Sequence, residues 1–180
     1  MRLRIAVIGQ SGEAPPELAA LAREVGRGVA AAGAVLLSGG RDGVMAAASE
    51  GAHAAGGIVV GILPGDDPTE GNNHLDVAIT TGMGMDARSI VLIHSTDAVI
   101  VIGGQNGTLL EISDAYLARR PIIVLQGSGM WADRLPAMAL EGKYLDWRRN
   151  VAIEYAATPA AAVAAAVQAA QGRYPRPGTA

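Results

Sequence analysis

The sequence predicts an α/β fold in three layers, with a mostly parallel central sheet flanked by helices. Three observations lead there. Several short segments are almost unbroken runs of Val, Ile, Leu and Ala, as strands are when helices cover both faces of their sheet. Helix-like stretches separate the runs at the spacing of βαβ units, whose crossovers are right-handed. Three of the runs end in glycine-bearing turns, which puts similar loops at the carboxyl edge of the sheet, where open α/β folds hold ligands. The arrangement is Rossmann-like.

RIAVIG (4–9) is the first strand. Basic residues before an apolar run also suggest a signal peptide, but the run spans only 5–8 and ends in glycine, too short for such a leader. The further strands are AVLLS (34–38), IVVGI (58–62), AVIVI (98–102) and PIIVL (121–125), with a shorter VAIT (77–80) expected to join them. Helices are predicted over 16–32, 44–55, about 86–95 and 108–119. Near the end, Thr158 as N-cap and Pro159 at the first helical position open an Ala-rich helix. The segment 127–150 holds both tryptophans and Lys143 and shows no assignable element. Residues 1–172 read as a single nucleotide-binding domain and 173–180 as a flexible tail.

Composition limits the function. With 50% hydrophobic and 17% charged residues the chain is globular rather than disordered. A net charge of −3 gives no electrostatic case for nucleic acid or an anionic membrane, so any anion site must be local. The 3% aromatic content leaves few platforms on which single-stranded DNA could stack. No 18-residue apolar run occurs, and a cytoplasmic protein is the expectation. There is no cysteine, hence no disulfide or thiol nucleophile. Lys143 is the only lysine, so Schiff-base chemistry would have to use it. His53, His74 and His94 are scattered without ligand spacing; no metal and no cofactor are expected.

The loops carry the chemistry. VLLSGGRDGVM and VIVIGGQNGTL share one pattern: apolar strand, Gly-Gly, two polar residues, Gly, helix. Gly103 and Gly104 can turn the backbone tightly and let it approach a ligand. Gly107 and Thr108 then open a helix whose free N–H groups and positive dipole end favour an anion. Gly39 and Gly40 can act in the same way, with Arg41 as a forked cation, and Gly9 and Ser11 belong to a third such loop. Steric need alone also explains glycine in such turns, but three loops on one edge favour a phosphate ligand. No Walker A sequence and no complete Gly-x-Gly-x-x-Gly is present.

Glu111 follows Thr108 by three residues, which fits a capping box and equally a carboxylate placed beside a phosphate-bound sugar. Arg88 stands near the start of a helix, where a cation opposes the dipole, so a structural role would need a partner such as Asp86 or Asp114. Residues 90–93 are apolar on every face of that helix, which suits a partner subunit.

At this point GGRDGVMAAASEGA, VVGILPG and TGMGMDARSIVLIHSTDAVIVIGGQNGTLLEI resemble the LONELY GUY (LOG) superfamily, over residues 4–125. Many LOG members are phosphoribohydrolases that cut the N-glycosidic bond of adenosine-type 5′-monophosphates. The resemblance implies that Gly103, Gly104, Gly107 and Thr108 hold the phosphate and that Arg88 and Glu111 are the catalytic pair. Ile102 stands where the LOG signature has proline, and MDARS replaces the usual Met-His-x-Arg-Lys. Both features are more similar to the branch that includes molybdenum-cofactor carrier proteins. Two functions follow as expectations: hydrolysis of a nucleoside 5′-monophosphate to base and ribose 5-phosphate, or carriage of a phosphorylated ligand without chemistry. A homodimer or higher homo-oligomer is expected in both. Met45, Met83, Met85, Trp131 and Trp147 are the candidate platforms for a base, and 64–76 reads either as a lid or as a plain surface loop.

Overall fold

A computed structural model describes residues 1–173. The flexible tail expected over 173–180 therefore lies outside the described residues, except for Arg173 at the end of the last helix. Seven strands are present among the described residues: β1 (Arg4–Gly9), β2 (Val35–Ser38), β3 (Ile58–Leu63), β4 (Val77–Thr80), β5 (Ala98–Ile102), β6 (Ile122–Leu125) and β7 (Ile153–Ala156). They form one sheet in the order β4-β3-β2-β1-β5-β6-β7, parallel at every pairing. Six α-helices connect and cover them: α1 (Pro16–Ala31), α2 (Gly43–Ala54), α3 (Gly84–His94), α4 (Asn106–Leu117), α5 (Met130–Met138) and α6 (Pro159–Arg173).

The period of two along each strand sorts the core into two layers. Ile5, Val7, Leu36, Ile100 and Ile123 face α1, α2 and α6. Ala6, Ile8, Leu37, Val99 and Val101 face α3, α4 and α5. Burial on both faces is why these strands read as continuous apolar runs. The predicted helices are all present, and α6 is capped as expected, with Thr158 Oγ1 accepting from Ala161 N–H at 3.2 Å.

Two of these strands and α-helices were not predicted. The strand β7 is a four-residue edge strand, and α5 is a nine-residue helix containing Pro136. Glu154 interrupts the apolar run of β7 and Pro136 the helical pattern of α5, which is why neither stood out.

The first layer holds α1 and α2 backbone to backbone. A Cβ on Gly26 would lie 2.0 Å from the Ala48 carbonyl oxygen, and one on Gly51 2.0 Å from that of Arg23. At the amino edge the Arg4 guanidinium and main-chain N–H both donate to Asp97, which fastens β1 to the chain entering β5. Among the described residues no helix is long and apolar enough to cross a membrane.

Candidate functional site

Because β1 lies between β2 and β5, the chain winds away from it in both directions, and the carboxyl ends of β1 and β5 are the switch point at which open α/β sheets form a ligand crevice. There Gly9 is in register with Ile102. The loops after β1, β2 and β5 surround this crevice, as the sequence led us to expect, but their glycines do different jobs.

Gly9 is fixed by packing. A Cβ there would stand 2.5 Å from the Ile102 oxygen and 2.6 Å from Val44 Cγ1. Ser11 is exposed on the same loop, and the next amide, that of Gly12, donates to the Asp42 carboxylate at 3.1 Å. On the β2–α2 loop the Gly40 N–H is taken internally by Ser38 Oγ at 3.1 Å. Gly39 makes room for another side chain, since its Cβ would fall 2.0 Å from Arg88 Nη1 and 2.7 Å from Met45 Sδ. Arg41, on the same loop, has its Nη1 3.7 Å from Met85 Sδ.

After β5 the backbone turns through positive φ at Gly103 (61°) and Gly104 (109°). The Gly103 amide, expected to hold phosphate, instead donates to Ser128 Oγ at 2.8 Å and is not free for a ligand. The next helix starts earlier than predicted, at Asn106, so Thr108 is its third residue and not its cap. The amides of Gly104, Asn106, Gly107 and Thr108 take no acceptor among the described residues. They are the donors that the end of a helix leaves open. Gly107 is exposed with open space where a Cβ would be, and Thr108 is buried against Gly104.

The capping-box reading of Glu111 is overturned by this register. Its side chain turns inward and accepts a hydrogen bond from Ser89 Oγ at 3.0 Å. Arg88 does not pair with Asp86 or Asp114. The Asp114 carboxylate faces His94 at 3.7 Å, and Arg88 Nη1 faces Glu111 Oε1 at 3.8 Å. That distance is an ion pair without a hydrogen bond. Arg88 is 3% exposed and Glu111 7%, and Arg88 Nε and Nη1 have no hydrogen-bond acceptor. Burial pushes the Glu111 carboxyl up to about 7, against the pull of Arg88 and Ser89. Burial also lowers the Arg88 guanidinium, as does the charge of Arg41, while Glu111 acts the other way. The Arg88 guanidinium thus faces the Glu111 carboxyl on one side and feels the charge of Arg41 on the other. Such a region attracts an anion.

Sequence reasoning missed two contributors. Ser89 is the neighbour of Arg88 but showed no signal of its own. Ser128 lies in the β6–α5 turn, where Gly127 and Gly129 also have positive φ. That turn is a fourth case of an apolar strand running into glycines, which could have revealed it. The segment 64–76 is tied down: Asn72 Nδ2 donates to the carbonyls of Gly40 and Arg41 at 3.0 Å each, and its main-chain N–H to Gly40 at 2.8 Å. His53 and His74, far apart in sequence, meet with ring centroids 6.0 Å apart.

The sequence model of one protein family, described as SLOG cluster4, matches residues 2–163. The chain belongs to the SLOG cluster4 family. The LOG-like resemblance read from the motifs is thereby borne out. Among solved structures the SLOG cluster4 chain is similar to TM1055, a structural-genomics target, at 44% identity and a TM-score of 0.87, covering 92% of this chain and 99% of that one. It is also similar to the molybdenum cofactor binding protein of the phototrophic bacterium Rippkaea orientalis, at 31% identity and a TM-score of 0.78, covering 96% and 98%. An uncharacterized protein of Archaeoglobus fulgidus is 40% identical over 131 residues, 69% of this chain and 85% of that protein.

The span matched by SLOG cluster4 includes every loop of the crevice. Of the candidate platforms for a base, Met83 and Met85 are exposed before and at the start of α3, and Trp131 is the second residue of α5, its main-chain N–H donating to the Gly104 carbonyl at 3.5 Å. Met45 is buried behind Gly39. Trp147 stands at the opposite edge, next to Asp146, which is bonded to Tyr116 near the end of α4, so it cannot serve this site.

Proposed function

We propose that the crevice binds a nucleoside 5′-monophosphate and hydrolyses its N-glycosidic bond to free base and ribose 5-phosphate. The observation that carries this reading is the buried Arg88 guanidinium, with two nitrogens unmatched, opposite a carboxyl that titrates near neutrality. The open amides of Gly104, Gly107 and Thr108, with Arg41, hold the phosphoryl group, joined by Arg88 where the phosphate reaches inward. Gly9, Gly39, Gly40 and Gly103 support the site through packing and backbone shape, and Ser11 offers a hydroxyl at the rim. The sugar then lies against Glu111. In its acid form Glu111 protonates the departing base as the C–N bond breaks through an oxocarbenium-like state. Water adds to the sugar carbon and returns its proton to the carboxylate. A group with a pKa close to the working pH is suited to such proton exchange, which contributes roughly 10²–10⁴ in rate.

A second reading is a carrier that holds a phosphorylated ligand without cleaving it. The observation in its favour is the similarity along nearly the whole chain to the molybdenum cofactor binding protein of Rippkaea orientalis, together with Ile102 in place of the LOG proline. Incubation with AMP or isopentenyladenosine monophosphate, followed by chromatography for free base, separates the two. Release of base that falls by roughly 10²-fold or more in Glu111→Gln, with monophosphate binding kept, supports hydrolysis. Binding without release supports the carrier, and equal turnover in the variant would end the catalytic role of Glu111. Both readings fit a cytoplasmic homo-oligomer, whose contact face we place on α3, α4 and the uncovered part of the sheet.

A further inference from the structure

Ser89 has one hydroxyl proton and two oxygens within reach: Glu111 Oε1 at 3.0 Å and the Met85 carbonyl at 3.3 Å. If Glu111 is ionised, that proton must point to the carboxylate. If Glu111 is protonated, it donates to Ser89 Oγ, and Ser89 donates onward to Met85, so that both hydrogens have acceptors. The geometry thus accommodates both protonation states by rotating a single hydroxyl.

Among the described residues little else answers to the charge on Glu111. From α3 comes Arg88, too distant for a hydrogen bond, and behind it Arg41 on the β2–α2 loop. On α4 itself Asp114 is turned to His94. The strands beneath contribute apolar side chains such as Ile8 and Val101.

We propose that the site takes up its phosphorylated ligand together with a proton, which Glu111 receives while the Ser89 hydroxyl turns from Glu111 to the Met85 carbonyl. This rests on the reading above, that the phosphoryl group engages Arg88. A phosphate on Arg88 withdraws the cation facing Glu111 and brings negative charge towards it, and both changes favour the neutral carboxyl. Burial has already raised this carboxyl to about 7, so a further gain in proton affinity of roughly a hundredfold keeps it mostly protonated at pH 8. The ligand itself does not titrate there, since phosphate monoesters lose their second proton near about pH 6.

The test is calorimetric titration with ribose 5-phosphate at pH 8, in two buffers of different ionisation enthalpy. The expected result is uptake of about one proton per ligand, with affinity weakening about tenfold per pH unit between the free and bound pKa values. Glu111→Gln should bind with no uptake and with an affinity independent of pH from about 7.5 to 9, as a permanent stand-in for the neutral acid. Ser89→Ala should take up less than the wild type, and circular dichroism of both variants checks that they fold. Binding by the wild type without proton uptake, or equal uptake by Glu111→Gln, overturns this inference and leaves the phosphate site standing. If neither ribose 5-phosphate nor AMP binds at all, the reading of the site falls, and this inference with it.

Discussion

Glu111 is buried at a cost, and the cost has a pH signature. Its folded-state carboxyl stands at about 7, against 4.5 for an ordinary one, so between these values the folded chain binds more protons than the unfolded chain. Stability from this group is fully present below about pH 4.5 and is lost as pH rises through about 7, a change of about 3 kcal/mol. Glu111→Gln has no such loss. Urea unfolding should therefore show the variant gaining on the wild type by about 3 kcal/mol from pH 4.5 to pH 8, and parallel pH curves would refute the burial of an ionisable group here. At this scale Arg88 stood out, because a cation near a helix start is uncomfortable as mere structure, whereas Glu111 fitted a capping box equally well and was joined to Arg88 through the LOG resemblance. Ser89 and Ser128 were not. A serine bonded to its helix neighbour's partner, or to an amide 25 residues away, leaves no pattern in sequence.

Among elements, the contact between α1 and α2 makes a sharper demand on the sequence than any loop. At Gly26 and Gly51 the atoms that a Cβ would meet are main-chain carbonyls, 2.0 Å away, and they cannot step aside without moving a helix. At Gly39 the obstacles are the ends of the Arg88 and Met45 side chains, which can. Gly26→Ala should accordingly lower stability by about 1–3 kcal/mol or more, while Gly39→Ala folds with a smaller loss but binds ribose 5-phosphate weakly because Arg88 is displaced. Thermal unfolding and calorimetry of the pair would show it, and equal destabilisation would contradict the assignment. The helices and buried strands could be read from sequence because each spans a full period or an unbroken apolar run. The contact through Gly26 and Gly51 could not, since a glycine inside a helix looks only like a weakened helix. The start of α4 was misplaced by two residues for a similar reason: Asn106 is a poor advertisement for a helix, and Thr108 a good one.

The molecule as a whole is covered unevenly. The β2–β4 half of the sheet is partly open on the α3 side, where Val35, Leu37, Val60, Ile62 and Ile79 line a groove of about 360 Å³. Ile90 on α3 is 47% exposed, and Leu110 and Leu117 on α4 are exposed as well. A second copy of the chain seated here would bury them, so light scattering should find a multiple of 18.3 kDa, reduced to one chain by Ile90→Glu combined with Leu110→Glu. A wild type that runs as a single chain at tens of micromolar would remove this proposal. The fold class and the parallel sheet were legible at this scale, because the alternation of strand and helix leaves few topologies. The extent of cover was not, since it depends on which helix stops short.

The central position of β1 bears on how the molecule comes into being. Its pairing with β5 joins Ile5 to Ala98, so during synthesis the first strand must wait, one flank bare, while 93 residues leave the ribosome. Such distant closure is slow, and an open strand edge is sticky until it happens. Arg88 and Glu111 lie on opposite sides of that late joint in the chain, on the helices that enter and leave β5. A molecule cut before β5 therefore owns two of its glycine turns but neither the third loop nor Glu111, and Arg88 and Glu111 come together only once β5 is in place.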